Sequence, residues 1–280
     1  MARLAALVTV VLWSAAFVGI RAAGDDFSPG ALSLGRLLLG SALLGSFVLV
    51  RRERLPGRSD LPLLAVVGVL WFGVYNIALN EAERRIDAGT ASMLVNIGPI
   101  LIAVLAGVLL SEGFPRTLLA GCAIAFAGVV VIGLATSEQG VAAGWGAVLC
   151  VLAALSYSVA VVAQKPLLGR ASGLAVTWLA CTIGAVVCLP FAIQLVDELG
   201  SAEGSSIAWL VFLGVFPTSI GFLTWAYALN RTSAGRMGAT TYLVPPIAIL
   251  LAWAFLEETP PELALAGGAL CLVGVAIARR

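Results

Sequence analysis

Histidine is absent from this 280-residue chain, and only 11% of its residues are charged. The first absence removes His-ligated metal sites, Ser-His-Asp chemistry and histidine proton relays. The second is less than half of the roughly 25% that a soluble domain carries, so the chain cannot cover a water-facing surface. Net charge is +1, which offers no basic patch to nucleic acid and no acidic patch to a basic partner. The five cysteines (Cys122, Cys150, Cys181, Cys188, Cys271) all lie inside apolar runs without metal-ligand spacing. They read as small core residues, so neither a disulfide framework nor a metal site is expected, and no cofactor is implied. The acidic doublets Asp25-Asp26 and Glu257-Glu258 fall in connecting turns. That leaves no acid cluster for a membrane-embedded enzyme, and the expectation is a protein that is not one.

What the chain has instead is apolar length. Hydrophobic residues make up 61% of it, gathered into ten segments at about 3–22, 30–50, 61–81, 89–110, 116–135, 144–164, 173–195, 207–228, 236–256 and 261–278. Each is near the ~20 residues that a bilayer core of about 30 Å requires of a helix. The connections are short and rich in Gly, Pro, Ser and charge, so no soluble domain fits between them. The prediction is an all-α, multi-pass integral membrane protein of ten transmembrane helices, with the lipid bilayer as its solvent.

The segments repeat. Residues 64–129 lie over 210–275 without a gap, placing Gly68 on Gly214, Arg85 on Arg231, Ala88-Gly89 on Ala234-Gly235 and Pro99 on Pro245. The register continues through Glu112 on Glu258, Pro115 on Pro261, Gly121 on Gly267 and Gly128 on Gly274. Small residues, prolines and one acid set backbone approach and helix ends, so these matches mean more than Leu or Val matches would. Further upstream, Leu12-Trp13-Ser14 reappears as Ser156-Tyr157-Ser158, and Arg21 as Lys165. The first segment is therefore part of the repeat, not a signal peptide. A duplicated membrane protein is most often a transporter.

The basic residues predict orientation. Arg3, Arg51, Arg52, Arg54, Arg58, Arg116, Lys165, Arg170, Arg231, Arg236, Arg279 and Arg280 fall on the side of the termini; only Arg21, Arg84 and Arg85 fall opposite. Both termini are thus expected in the cytoplasm. Five spans per half start the second half from the other face, so the repeats should be inverted.

Ten spans in two halves, the opening Leu12-Trp13-Ser14 with Arg21, Pro29 and Arg36, and the Ala-Gly…Pro…Glu…Pro…Gly run at 88–128 and again at 234–274 resemble the drug/metabolite transporter superfamily, in its EamA-like branch. The resemblance covers nearly the whole chain and implies two EamA-like five-helix repeats, 1–137 and 138–280. It further implies a carrier of the inner (plasma) membrane that moves small metabolites, often outward, through a cavity between the halves. One departure is visible, since Arg36 has Ala180 at its counterpart.

Depth along the spans at about 1.5 Å per residue selects the candidate solute-binding residues Trp13, Ser14, Asn96, Tyr157, Ser158 and Tyr242, with Trp13 matching Tyr157 and Asn96 matching Tyr242. The competing reading is interhelical packing. Arg36, roughly 9 Å below the outer side, could bind a solute carboxylate, gate an acid such as Glu81, or snorkel to headgroups. Pro99, Pro245 and Pro246 are expected to kink spans four and nine. Glu112 and Glu258, at span ends, read as helix caps or anchors. The small residues Gly121, Ala125, Gly128, Gly267, Gly268, Cys271 and Gly274 predict close helix contact, within the chain or against a second copy in a homodimer. With few charges and several aromatics near mid-depth, the expected solute is an amino acid or a drug-like amphiphile. The expected mechanism is secondary-type export by alternating access; the alternative is a membrane scaffold or sensor that moves nothing.

Overall fold

A computed structural model describes residues 1–85, 94–136, 144–256 and 261–280. All regular elements among these described residues are helical. In chain order they are α1 (Ala2–Ala23), α2 (Pro29–Arg51), the composite rod α3 (Arg58–Glu83), α4 (Gly98–Leu109), α5 (Arg116–Thr136) and α6 (Trp145–Leu168). The composite rods α7 (Gly173–Ser201) and α8 (Gly204–Asn230) follow, then α9 (Ala234–Thr240), α10 (Val244–Leu256) and α11 (Glu262–Ala278). Six of them (α1, α2, α3, α6, α7, α8) are long and apolar enough to cross a bilayer, and α4 and α11 are shorter apolar helices. Large apolar side chains such as Leu7, Val11, Leu38, Phe47, Val148, Leu152, Ile193 and Leu272 point outward. A soluble protein does not carry so many in contact with water, whereas lipid accepts them.

Local chemistry sets the helix ends. Ser28 is extended and Pro29 occupies the first turn of α2, where its missing N–H would have had no intrahelical partner. Arg52 takes the left-handed conformation that stops the helix. Ser172 and Ser233 cap α7 and α9 through their hydroxyls, accepting from Ala175 N and Arg236 N.

Two rods widen at their centres. Val67–Tyr75 in α3 and Gly214–Gly221 in α8 are π-helical, and they occupy the same repeat position. A π turn leaves carbonyls poorly matched to amides, and each segment carries a side chain that answers them. Asn76 Nδ2 donates to the carbonyls of Trp71 and Phe72 at 3.1 and 2.9 Å, and Ser219 Oγ donates to that of Gly214 at 2.9 Å.

Contacts recur between equivalent positions, which lie 144 residues apart in the first two spans of each half and 146 apart from residue 64 onward. Gly40 of α2 sits where an added Cβ would stand 2.7 Å from Thr218 of α8; the equivalent Gly184 of α7 would clash with Phe72 of α3 at 2.3 Å. In α5 and α11, a Cβ on Gly121 would lie 2.6 Å from Gly274 O, and one on Gly128 would lie 2.5 Å from Gly267 O. As the numbers rise in one helix they fall in the other, so α5 and α11 run antiparallel with their backbones touching. The small-residue faces are thus used within the chain.

The ends of the bundle are also defined. Arg170, after α6, pairs with Asp60 at the start of α3 at 2.9 Å. At the far end of α3 stand Glu83 and Arg84, which with Arg21 and Asp25 line one cavity. On that same end Glu203 N donates to Asp26 Oδ2 at 3.0 Å and Ser28 N donates to Glu198 at 2.9 Å, tying the α1–α2 turn to the α7–α8 turn. These bonds to the ionised form, with the Ser206 hydroxyl first, hold the Asp26 carboxyl below its usual range. Ala88, Gly89, Glu257 and Glu258 lie outside the described residues.

Candidate functional site

A central cavity of about 80 Å³ lies where the two halves meet. The first half contributes Trp13, Phe17 and Ile20 from α1, Arg36 from α2, Trp71, Tyr75, Asn76 and Leu79 from α3, and Val95 and Asn96. The second half contributes Tyr157, Phe222, Thr241 and Val244. Its aromatic wall is one connected cluster. Trp13 stacks on Trp225 at 5.0 Å and meets Trp71 and Phe222 at 5.9 and 5.2 Å, while Tyr157 lies 6.1 Å from Trp71 and 5.7 Å from Tyr75. Such offset and edge contacts hold rings in fixed places. Trp225 is further fixed by donating its indole N–H to Gln164 Oε1 at 3.1 Å. The indole N–H of Trp13 is buried without an acceptor among the described residues.

Arg36 is the cation in this wall. It is 5% exposed, and its Nε donates to Thr218 Oγ1 at 3.0 Å. No carboxylate among the described residues pairs with it, and it lines the cavity. A guanidinium is a planar fork with five donors, and carboxylates fit it in a bidentate manner. Near mid-bilayer such a group is costly unless something compensates it.

A second, larger space of about 420 Å³ adjoins the first at Ile20, which lines both. Arg21, Asp25, Phe27, Asn80, Glu83 and Arg84 surround it. Asn80 Nδ2 donates to Ser33 Oγ at 3.0 Å, tying α3 to α2 between the two spaces.

At the other end of α3 the bundle is tied shut. Glu112 accepts from Ala234 N at 2.7 Å and from Gly235 N at 3.2 Å, capping α9 from a neighbouring turn. Lys165 Nζ donates to the carbonyls of Leu229 and Thr232, closing the C-terminal end of α8.

The predicted residues divide. Trp13, Arg36, Asn96 and Tyr157 share the central cavity. Ser14 and Ser158 are fully buried and face neighbouring helices: Ser14 Oγ donates to Val10 O and Val244 O, and Ser158 Oγ donates to Ala154 O and Gly98 O. Tyr242, also fully buried, lies in the separate apolar cluster with Cys122 and Cys271, its hydroxyl without a hydrogen-bond partner among the described residues. The 3₁₀ turn Thr241–Leu243 turns Thr241 to the cavity and Tyr242 away from it. The prolines stand where the helices of spans four and nine break, after a turn at Asn96–Ile97 and after the 3₁₀ turn Thr241–Leu243. Pro99 is the second residue of α4, and Pro245 and Pro246 follow Val244 at the start of α10. They begin helices, where no amide is missed. Trp71, Tyr75, Asn76 and Phe222 were not anticipated; their signal is the polar and aromatic run at the two π segments.

The sequence profile of the EamA-like transporter family matches residues 1–134 and again 144–280. The chain belongs to that family. Among its EamA-like relatives is a protein of Streptantibioticus cattleyicolor named "Probable terminal-alkyne amino-acid exporter", 38% identical over 99% of this chain and 92% of that one. Another, from Salmonella typhimurium, is named "Probable amino-acid metabolite efflux pump" and is 27% identical over 97% of this chain and 92% of its own length. A solved crystal structure superposes with a TM-score of 0.79, covering 99% of this chain and 96% of the other at 22% identity; that likeness concerns the fold. Membrane transport is therefore the family's activity, and the names indicate transporters, not enzymes.

Proposed function

We propose that this EamA-like protein is a secondary-type exporter of small metabolites such as amino acids or drug-like amphiphiles, working by alternating access through the central cavity. The observation that carries the reading is the aromatic cavity between the halves, with Arg36 buried in its wall and no carboxylate partner among the described residues. Trp13, Arg36, Asn96 and Tyr157 are the solute contacts in this reading, joined by Trp71 and Tyr75. The exporter names of the two relatives support the direction and the solute class.

The halves are residues 1–137 and 138–280, each of five spans, ten in all, and inverted. The recurrent α5–α11 contact supports the inversion. The offset carries Gly121 to Gly267 and Gly128 to Gly274, and so maps the Gly121–Gly274 contact onto the Gly128–Gly267 contact. Because α5 and α11 are antiparallel, a rotation relating them reverses the helix direction and has its axis across the helices. With both termini at the Arg-rich end, in the cytoplasm of the cell that carries this protein in its plasma membrane, the larger space opens outward and the Glu112–Lys165 end is the closed inner side.

Purified protein in liposomes tests it. Preloaded vesicles should exchange labelled amino acid several-fold faster than protein-free controls, and Asn96→Ala should slow exchange with little change in thermal stability. Equal flux with and without the protein, for amino acids and amphiphilic cations alike, would favour a scaffold.

A further inference from the structure

The space beside the central cavity holds a second ionisable group without an ion-pair partner among the described residues. Glu83 makes no ion pair among the described residues, and its Oε1 is buried with no hydrogen-bond donor. Arg21 and Arg84 line the same space. Arg36 is buried with no carboxylate partner, and Glu83 is half-buried with one oxygen out of reach of any donor, so each is left short of a partner among the described residues. If they served only stability they would pair with each other or be replaced.

Their placement is set by one hydrogen bond. Asn80 of α3 donates to Ser33 of α2, so these residues are level. Arg36 lies three residues beyond Ser33, toward the closed end, and Glu83 three beyond Asn80, toward the open end. At about 1.5 Å per residue the two charges flank that bond from opposite sides, their Cα atoms about 9 Å apart along the bundle. Trp71, Tyr75 and Leu79 step along the same side of α3 as Glu83, at four-residue spacing, and line the aromatic cavity below it.

We propose that Glu83 binds the ammonium group of the solute while Arg36 binds its carboxylate, so that the solute is an α-amino acid with an apolar or aromatic side chain. This rests on the transport reading above. One zwitterion compensates both groups, and its side chain enters the aromatic cavity. A solute with only one charge leaves Arg36 or Glu83 unsatisfied, and discrimination follows from that cost.

Counterflow in proteoliposomes tests it with L-phenylalanine and L-leucine, their amides, which lack the carboxylate, and the deaminated acids 3-phenylpropanoate and 4-methylpentanoate. Wild-type protein should move each amino acid about tenfold or more faster than either analogue, the factor expected of one charge-assisted hydrogen bond. Glu83→Gln should lower the ratio of amino acid to deaminated acid about tenfold, with Glu83→Asp restoring most of it. Arg36→Gln should instead lower the ratio of amino acid to amide. Quenching of tryptophan fluorescence by the same solutes in detergent gives the affinities of variants that reconstitute poorly. A Glu83→Gln change that slows amino acid and deaminated acid by one common factor, in flux and in affinity, would overturn the inference while leaving transport standing. If wild-type protein moves amphiphilic cations but none of the series, this inference falls while transport stands; if it moves neither, both fall.

Discussion

Gly121 and Gly274 face each other so closely that a Cβ added to either would stand 2.6 Å from the other's carbonyl oxygen. The obstacle is backbone on both sides, which cannot swing away as a side chain can. Gly121→Leu or Gly274→Leu should therefore force α5 and α11 apart and cost about 1–3 kcal/mol, the usual range for overpacking. Gly204→Ala is the control, since nothing lies within 4 Å of that position. Thermal unfolding in detergent, followed by tryptophan fluorescence, should show a clear drop for the first two and none for the third.

Ser14 and Ser158 make one bond twice, each donating at 3.1 Å to the carbonyl before a proline of the opposite half. Interhelical hydrogen bonds in membranes average ~0.6 kcal/mol. Ser14→Ala and Ser158→Ala should each lower stability by about that amount, nearly additively, and leave the KM for solute within twofold. Asn96→Ala should do the reverse, raising KM severalfold with little change in stability. A KM shift in the serine variants equal to that of Asn96→Ala would return both hydroxyls to the binding surface.

Much of this was legible in the sequence because bilayers demand length and close backbones demand glycine. The apolar runs predicted α1, α2, α3 and α6 to within a few residues, and the Gly121–Gly128 and Gly267–Gly274 spacing predicted close helix contact without saying whether the partner was in the same chain. The span-end position of Glu112 predicted a cap, although the helix it caps is α9, far away in sequence. What could not be read was azimuth. A repeat offset fixes depth, so Asn96 and Tyr242 looked equivalent, yet a 3₁₀ turn at Thr241–Leu243 rotates Tyr242 into a packed cluster. The π segments shift phase in the same way, since a 3.6-residue period does not describe them, and so Trp71, Tyr75 and Asn76 were not placed on the cavity wall. Glu83 was hidden by its neighbours Arg84 and Arg85, which made it look like loop charge.

Ion pairs and turn contacts sort the loops into two ends, Asp60–Arg170 at one and Asp26–Glu203 at the other. In a variant whose five buried cysteines are replaced by alanine or serine, a cysteine at Pro56 should resist a membrane-impermeant thiol reagent added to intact cells. One at Gly200, where the backbone is open, should react. The opposite labelling pattern would place the Arg-rich end outside.

The turn between α8 and α9 is held from two directions, by Glu112 on the first amides of α9 and by Lys165 on the last carbonyls of α8. A carboxylate at a helix N-terminus and an ammonium at a C-terminus each oppose the exposed end of a helix dipole, typically for 0.3–1 kcal/mol and up to ~2 kcal/mol when partly buried. Two such contacts on one turn are enough to bias a transporter whose inner-closed and inner-open states differ by a few kcal/mol. Glu112→Gln and Lys165→Met should therefore each populate the inner-open state. The measurement is the rate at which a cysteine at Ser233 reacts with a thiol reagent in inside-out vesicles. Both variants should raise that rate severalfold, and the double variant should raise it by less than the product of the two, because either loss alone frees the same turn. Unchanged labelling in both would mean that these contacts only tidy helix ends and that the inner side is closed by the packing of α6 and α8.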